Sequence, residues 1–368
     1  MFYLISNKLE ASNDRYKEIE KYIKFNLAGN LRNSPLKFYN RNYPEISIII
    51  STFNSEIYLR SIIRSIQNQD FLNIEIIIVD DCSMDNSVKV IKELMKEDRR
   101  IKLLSNVINK GALYTKTKGV LNAKGKYVMT LDHDNLYATK YVFDKLYREA
   151  EKYNLDLLGF SAIKTGVEIK DVNKCEFYNY LETKIIKKPY IKNRILGFDR
   201  KIQSSTYLFL YFIKTSLFLN AIKQIGDEFR NRNIDVHDDT ILMFIMSRKA
   251  LSLKHLKEIY YIVLQWPEEY SKFLKFQRNI KFRERSKKDC YSYLTFIEIL
   301  VLFTENNDKF IAEKNLFSWF LRKKKCRNKI TLIDDAVRVC NLFLNNKYIS
   351  YNTKKKIYLY LNKIRKQK

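Results

Sequence analysis

The sequence predicts an α/β protein in which helices flank a mostly parallel sheet. Three observations lead to this prediction: short runs of β-branched residues, amphipathic segments between them, and a scarcity of glycine and proline. The chain of 368 residues has only 8 Gly and 4 Pro, fewer than an all-β protein with many tight turns needs. Strands that alternate with helices form βαβ units, whose strands run parallel.

The alternation is clearest between residues 44 and 163. Glu45 to Ile50 and Ile74 to Val79 are apolar runs rich in isoleucine, as expected for buried strands. An amphipathic helix follows each of them, because apolar residues recur there at helical spacing. Further strands are predicted at 101–104, 126–131 and 156–163, and further helices at 111–123 and about 139–153.

Composition divides the chain into three predicted parts. Residues 1–43 are a polar, helical N-terminal extension. Residues 44–270 contain the alternating pattern, followed by an apolar stretch that is less regular. Residues 271–368 are helical, aromatic and basic. A hydrophobic content of 46% is enough for a sizeable core.

The net charge of +27 comes from 68 Lys and Arg against 41 Asp and Glu. Such a charge attracts anionic partners, or it is simply a solvated surface. In the basic tail, Ile357, Leu361 and Ile364 form a stripe at helical spacing. This tail helix either lies on an anionic membrane or packs against the rest of the protein. A second basic run is Lys323 to Lys325.

Cysteine and histidine usage argues against common metal and disulfide scaffolds. The five Cys are far apart without a CxxC pair, and the three His form no HExxH. A zinc knuckle, a disulfide framework and a zinc hydrolase are therefore disfavoured. No signal peptide and no apolar run of about 18 residues stand out. We expect a cytoplasmic protein, or one that sits peripherally on a membrane surface.

Polar residues follow the first two predicted strands, where ligands bind in parallel sheets. After the first strand, Thr52, Phe53 and Asn54 form a strand-to-helix loop that suits a nucleotide or its phosphates. A helix cap explains this loop equally well. After the second strand, Asp80 and Asp81 are adjacent carboxylates that could accept hydrogen bonds from a base or ribose.

A helix cap also explains part of the second loop. Either Asp85 or Ser87 could cap the following helix. Such a cap does not require the Asp80–Asp81 pair, so both interpretations can hold together.

Asp132 and Asp134 follow the predicted strand 126–131. If the backbone is extended there, the two carboxylates point to the same side and could approach one hard cation. Mg²⁺ or Mn²⁺ would complete its coordination with diphosphate oxygens and water. His133, between them, points the other way and is expected to be structural.

Asp238 and Asp239 precede an apolar run, Ile241 to Ile245, that is expected to form a buried helix. One carboxylate whose pKa is raised by its neighbour is a candidate general base. The alternative for one of the two is a helix N-cap favoured by the helix dipole.

Taken in order, these segments resemble glycosyltransferase family 2, whose fold is the Rossmann-like GT-A type. The resemblance is dense over residues 44–165 and loose over 166–270. It rests on four segments, Ile46–Asn54, Ile76–Ser87, Asn109–Gly111 and Tyr127–Asn135. Their order, spacing and position after strands make the resemblance specific, unlike any one motif alone.

The resemblance implies an inverting transfer of sugar from a nucleoside-diphosphate donor to an acceptor hydroxyl. The acceptor, which could be a glycan, a lipid or a protein, is left open. Asp239 would be the catalytic base, with Asp238 beside it, and Asp132 and Asp134 would hold Mg²⁺ or Mn²⁺. The residues implied in binding the nucleotide sugar are Thr52, Phe53, Asn54, Asp80, Asp81, Asn109, Gly111 and Asp132.

The sequence departs from the family pattern at two places. Asn135 stands where a third Asp is usual, and Thr115-Lys116-Thr117 stands near the usual Ala-Arg-Asn. Lys116 or Lys118 could supply the missing positive charge as a point charge.

The sequence raises two alternative functions. A nucleotidyltransferase would need a glycine-rich, basic loop, and Ser51 to Glu56 has neither feature. A non-catalytic or decayed protein of this fold would bind an anionic partner through its basic surface. Nucleic acid is disfavoured as that partner.

Overall fold

The computed structural model describes residues 13–30, 43–166, 168, 176–178, 183–196, 206–265, 291–303 and 333–365. It confirms the predicted α/β class, with helices on a curled sheet of mostly parallel strands. The basic run Lys323 to Lys325 and the side chain of Ile364 lie outside the described part.

Apart from a two-residue strand at 136–137, the elements alternate as predicted through residue 165, and further strands follow. The strands are β1 (Ile46–Thr52), β2 (Ile74–Asp80), β3 (Ile101–Ser105), β4 (Tyr127–Asp132), β5 (Leu136–Tyr137), β6 (Leu157–Thr165), β7 (Glu176–Tyr178), β8 (Ile186–Lys187), β9 (Tyr211–Lys214) and β10 (Ser252–Leu264). The helices are α1 (Asn13–Leu27), α2 (Glu56–Gln67), α3 (Ser87–Glu97), α4 (Ala112–Leu121), α5 (Val142–Tyr153), α6 (Ile191–Leu196), α7 (Thr215–Arg230), α8 (Asp238–Lys249), α9 (291–302), α10 (Ile333–Asn345) and α11 (Tyr351–Arg365).

The strands form one sheet in the order β3-β2-β1-β4-β9-β6-β10-β5. β3, β2, β1 and β4 are parallel, and β10 is parallel to β6. β9 is antiparallel to both of its neighbours, β4 and β6. The switch to β9 ends the parallel half, so the carboxyl end of β4 lies where the strand order changes, a common place for ligands.

The central strands are buried on both faces. Residues 46–50 of β1 and 74–80 of β2 are all buried, which is why they form continuous isoleucine runs rather than alternating patterns. α4 lies unusually close to the sheet. A Cβ at Gly119 would come within 2.4 Å of Ile49 Cγ2, so glycine permits this approach.

The N-terminal helix α1 packs against α2. Ile19 and Ile23 are fully buried. The Tyr22 hydroxyl donates to the Ser65 carbonyl at 3.0 Å, and the Asn68 side-chain amide donates to Asn26 Oδ1 at 2.7 Å. The predicted domain boundary at residue 43 stays a prediction.

The C-terminal helices also pack onto the rest of the protein. Ile357 is 0% exposed and Leu361 is 2% exposed, so this part of the predicted stripe faces the protein. α9 is joined to the loop before α8 by an ion pair of 2.6 Å between Arg232 and Glu298. Among the described helices, none combines the length and the apolar character that a membrane crossing requires.

Candidate active site

The carboxyl ends of β1, β2 and β4 lie side by side. Thr52 is paired with Asp80 across β1 and β2, and Ser51 is paired with Asp132 across β1 and β4. The polar residues that follow these strands therefore share one edge of the sheet, as the sequence predicted.

The loops after β1 and β2 are hydrogen-bonded to each other. Asn54 donates its backbone N–H to Ser83 Oγ at 2.9 Å. The Asp85 carboxylate accepts the N–H of Glu56 at 3.1 Å and that of Ser87 at 2.9 Å. Asp85 thus satisfies N–H groups at the start of both α2 and α3, a capping role. The N-cap residue of α3 itself is Asn86, not Asp85 or Ser87.

Asp81 holds the loop between β3 and α4. Its carboxylate accepts the backbone N–H groups of Lys110 at 2.8 Å and Gly111 at 2.9 Å, and the side-chain amide of Asn106 at 2.8 Å. The residue is 5% exposed. Charge-assisted hydrogen bonds of this kind fix backbone geometry, so Asp81 has a structural role whether or not it also contacts a nucleotide.

Gly111 lies where the loop before α4 contacts the segment that leads to α8. Its φ is 85°, and an added Cβ would come within 2.7 Å of Asn233 Oδ1 and 2.9 Å of the Ile234 nitrogen. The neighbouring Asn109 accepts the Asn233 side-chain amide on its carbonyl at 3.0 Å. Asn109 and Gly111 thereby fix the loop before α4 against the segment that leads to α8.

Two polar atoms at this edge lack a protein partner among the described residues. They are Thr52 Oγ1 and Asp80 Oδ1, both buried. The other Asp80 oxygen accepts the Ser83 N–H at 3.1 Å. A buried polar atom without a partner costs about 1–3 kcal/mol, so these atoms are natural contacts for a polar ligand. Phe53, on the same loop, is 37% exposed.

The expectation of an extended backbone from Asp132 to Asp134 was wrong. Residues 133 and 134 form a turn, in which the Asn135 N–H donates to the Asp132 carbonyl at 3.2 Å. Asn135 Oδ1 in turn accepts the Leu264 N–H of β10 at 3.0 Å. Pairing with β10 therefore determines the path of this segment, and alternation along a strand does not apply to the two carboxylates.

The carboxylates at the carboxyl end of β4 suit a cation that also binds substrate and water, rather than one held by protein ligands alone. Within the described ranges, no group of three or more His, Cys, Asp or Glu side chains is arranged to hold a metal ion. Mg²⁺ commonly uses one or two carboxylates and takes its other ligands from substrate phosphates and water. Asp132 and Asp134 are two partly exposed carboxylates that match this pattern. His133 lies 6.3 Å from the ring of Tyr58.

Lys116 brings three aspartates together. Its Nζ lies 2.7 Å from Asp239 Oδ1, 2.8 Å from Asp238 Oδ2 and 3.8 Å from Asp132 Oδ1. Only 8% of the Lys116 side chain is exposed. Lys118, the other candidate, instead donates to the Ser105 carbonyl and to Asn106 Oδ1.

Asp238 and Asp239 are the first two residues of α8, and His237 is the N-cap residue with φ of 66°. The Asp239 side chain is 16% exposed and that of Asp238 is 9% exposed. Asp239 also accepts the Leu208 N–H at 3.1 Å. Sequence analysis did not identify Leu208, because its backbone N–H carries no side-chain signature.

Burial and the neighbouring Asp238 carboxylate raise the pKa of Asp239 to about 6, even though Lys116 opposes this shift. The pKa of Asp132 is also raised, first by desolvation and then by Asp239. Burial alone would lower the pKa of Lys116, but the three carboxylates outweigh it and hold that pKa well above its ordinary value. Lys116 therefore stays charged at any working pH, and the pKa of Asp239 lies in the range that suits a general base.

The family model described as Glycosyl transferase family 2 matches residues 47–252. This match covers more than half of the chain and contains every segment of the site. The chain belongs to glycosyl transferase family 2. The family 2 resemblance drawn from the sequence is thus confirmed.

Curated relatives support the same family. The chain is 42% identical over 93 residues to the Campylobacter jejuni GalNAc(5)-diNAcBac-PP-undecaprenol beta-1,3-glucosyltransferase, a match that covers 25% of this chain and 30% of that protein. It is 25% identical over 224 residues to the uncharacterized glycosyltransferase EpsJ of Bacillus subtilis, which covers 61% of this chain and 62% of that protein. The chain thus spans less than two thirds of either relative.

Solved structures share the fold. The crystal structure of S. aureus TarS 1-349 in complex with UDP superposes with a TM-score of 0.53 and 16% identity, over 87% of each chain. The same TarS fragment in complex with UDP-GlcNAc gives a TM-score of 0.52 over the same shares. At this level of identity the likeness is one of fold.

Proposed function

We propose that the chain is an inverting glycosyltransferase that moves a sugar from a nucleoside-diphosphate donor to an acceptor hydroxyl. The strongest support comes from the surroundings of Asp239. This carboxylate has a pKa of about 6, and it contacts Lys116, whose ammonium also lies near Asp132 at the end of β4. A base beside the strand ends of a family 2 protein is where an acceptor would meet a bound donor.

The donor would bind across the ends of β1 and β2. Thr52 Oγ1 and Asp80 Oδ1, the two buried polar atoms without a partner in the described structure, suit a base N–H or a ribose hydroxyl. A uridine diphosphate is the first candidate, because S. aureus TarS, which has this fold, was crystallised with UDP and with UDP-GlcNAc. The sugar would be a hexose or a hexose derivative.

In the reaction, Asp239 would accept the proton of the acceptor hydroxyl. The hydroxyl oxygen attacks the anomeric carbon and forms the new glycosidic bond. The bond from that carbon to the diphosphate oxygen breaks, and the diphosphate leaves with the electron pair. Attack from the face opposite the leaving group inverts the anomeric configuration.

Asp132 and Asp134 would hold Mg²⁺ or Mn²⁺ together with the diphosphate. A cation bound there neutralises negative charge that develops on the leaving diphosphate. The experiment that tests this cation site removes metal with EDTA, adds back Mn²⁺ and measures turnover. We expect loss and recovery of turnover, and turnover that is indifferent to EDTA would contradict this part of the proposal.

The acceptor is proposed to be presented at a membrane or another anionic surface. α11 contains five Lys and Arg and no acidic residue. Because Ile357 and Leu361 are buried, the opposite face is the one available for contact. That exposed face includes Tyr351, Lys355, Tyr358 and Leu359, and basic-aromatic faces of this kind bind anionic lipid surfaces.

Vesicle co-sedimentation tests the α11 contact. We expect the protein to sediment with vesicles that contain phosphatidylglycerol, and a Tyr358→Ser/Leu359→Ser variant to bind them more weakly. Equal binding to purely zwitterionic vesicles, or no effect of the variant, would contradict a contact through this face.

The donor proposal is tested first by thermal stability against UDP, GDP and ADP, with and without Mn²⁺. A ligand present at 100 times its Kd stabilises the native protein by about 2.7 kcal/mol. We expect UDP to raise the Tm of the wild type but not that of Asp80→Ala. UDP release from UDP-glucose or UDP-GlcNAc should follow. No shift and no release would favour the non-catalytic alternative.

A further inference from the structure

Lys116 stands apart from the other lysines of the described structure because its ammonium lies within 4 Å of three carboxylates that come from two different elements. Asp132 ends β4, whereas Asp238 and Asp239 begin α8. Lys116 itself lies in the middle of α4. One buried side chain thus connects the proposed cation site to the proposed base across more than 100 residues of sequence.

The contacts are unequal. Asp238 and Asp239 lie at hydrogen-bonding distance, 2.8 and 2.7 Å, whereas Asp132 is 3.8 Å away. An ammonium has three N–H donors that can address separate acceptors. The planar fork of an arginine is better suited to a single carboxylate. A lysine therefore fits a cluster of acceptors that arrive from different elements.

Both oxygens of Asp239 are held. One contacts Lys116, and the other accepts the Leu208 N–H at 3.1 Å. This pair of contacts fixes the plane of the carboxylate, so removal of Lys116 would release one of its two restraints. The positive charge also offsets the mutual repulsion of Asp238 and Asp239, which are adjacent and mostly buried.

We propose that Lys116 is a positioning residue, a built-in counter-ion that orients Asp239 and reserves the Asp238–Asp239 pair for itself, so that a divalent cation is left with Asp132 and Asp134. This rests on the proposed function for the role of Asp239. The claim about cations rests on the proposed cation site at Asp132 and Asp134 and on the three Lys116 distances. Lys116 would then act on the base rather than on the donor phosphates.

The kinetic test compares Lys116→Met and Lys116→Arg with a matched control, Lys118→Met, two residues further along α4. UDP release from UDP-glucose or UDP-GlcNAc is measured, with water as the acceptor. We expect Lys116→Met to lower kcat about 100-fold with the donor KM within about threefold of wild type, because an oriented base acts on the chemical step. The kcat of Lys116→Arg should be at least about tenfold higher than that of Lys116→Met, and the kcat of Lys118→Met should match that of wild type.

The cation test uses Mn²⁺ alone, without nucleotide, and measures free Mn²⁺ by electron paramagnetic resonance. Removing a positive charge that lies 3.8 Å from Asp132 should strengthen Mn²⁺ binding. We expect Lys116→Met to bind Mn²⁺ at least about tenfold more tightly than wild type, whereas Lys116→Arg and Lys118→Met stay near wild type. This rise in affinity would accompany a fall in activity, which a merely unfolded variant cannot produce.

Several outcomes would overturn the proposal. A raised donor KM with unchanged kcat in Lys116→Met would make Lys116 a donor contact. Equal losses in the Arg and Met variants would remove the counter-ion role, and so would unchanged Mn²⁺ affinity in a folded Lys116→Met. If the wild type itself releases no UDP, the proposed function fails, while the Mn²⁺ measurement still decides whether Lys116 controls cation binding.

Discussion

Asp81 is a buried carboxylate and Asp239 a mostly buried one, yet their surroundings differ. Asp81, in the β1–β4 half, accepts two backbone N–H groups and an amide. Asp239, in the half that contains α8, lies beside a second carboxylate and has a pKa raised to about 6. Desolvation and a like charge favour the protonated form of Asp239. Asp81 is therefore held by hydrogen bonds that organise a loop, whereas Asp239 combines burial with a neighbouring carboxylate.

Asp239→Asn is the strongest test of this contrast. We expect UDP release from the UDP-sugar donor to fall about 1,000-fold, since a positioned general base contributes about 10² to 10⁴ in rate. The Tm should change little, because Asn keeps an acceptor for Leu208. Asp227→Asn is the matched control, since the Asp227 side chain is 81% exposed. An Asp239→Asn variant with full activity would remove Asp239 from the chemistry.

Asp81→Asn tests the other member of the pair. We expect it to lower the free energy of unfolding by about 2–4 kcal/mol, because charge-assisted hydrogen bonds to Lys110, Gly111 and Asn106 are weakened or lost. Urea denaturation measures this change. If stability is unchanged and only the donor KM rises, Asp81 is a nucleotide contact and not a loop clamp.

Gly111→Ala tests the junction between the two halves. The residue has φ of 85°, and the new Cβ would meet Asn233 and Ile234 at under 3.0 Å. We expect a loss of about 1–3 kcal/mol in the free energy of unfolding, because strained backbone positions cost that much. Gly226→Ala is a useful control. It has a similar φ of 74° but no heavy atom within 4 Å of the added Cβ, so it should cost less.

The pH dependence of kcat tests the environment of Asp239 further, and it is expected to give the smallest effect. Asp239 must be ionised to act as a base, so kcat should fall about tenfold per pH unit below about 6. The sign for stability is opposite. A carboxyl whose pKa is raised on folding adds stability at low pH, and this is lost as the pH rises from about 4 to about 6. Since Lys116 lowers the pKa of Asp239, Lys116→Met should move the kinetic limb to higher pH. A limb that does not move would contradict that coupling.

The sequence predicted the first half of the fold well because its strands and helices are long and strongly patterned. It did not predict β5 or β7 to β10 individually. β5, β7 and β8 have two or three residues, too few for a periodicity, and β9 lies within an apolar run that continues into α7. Their pairing is decided by the rest of the sheet.

The site was predicted in its parts but not in its arrangement. Strand ends located Thr52, Asp80 and Asp132, because parallel strands expose their carboxyl ends together. Asp239 was located instead by the apolar run that follows it. The convergence on Lys116 could not be predicted, since 123 residues separate Lys116 from Asp239. The expected alternation of side chains along a strand does not extend to Asp134, because a turn replaces the strand there. Hydrogen bonds of Asn135, one of them to β10, hold this turn.

The packing of α1 has a practical consequence for work with this protein. The family match begins at residue 47 and ends at residue 252, but Ile19 and Ile23 are completely buried outside that range. On the other side, Phe296 of α9 stacks on His237, the N-cap residue that precedes the two aspartates, at 4.7 Å. A fragment trimmed to residues 47–252 would expose both of these apolar contact surfaces to water and promote aggregation. Recombinant material for crystallography or enzymology should therefore retain both flanks.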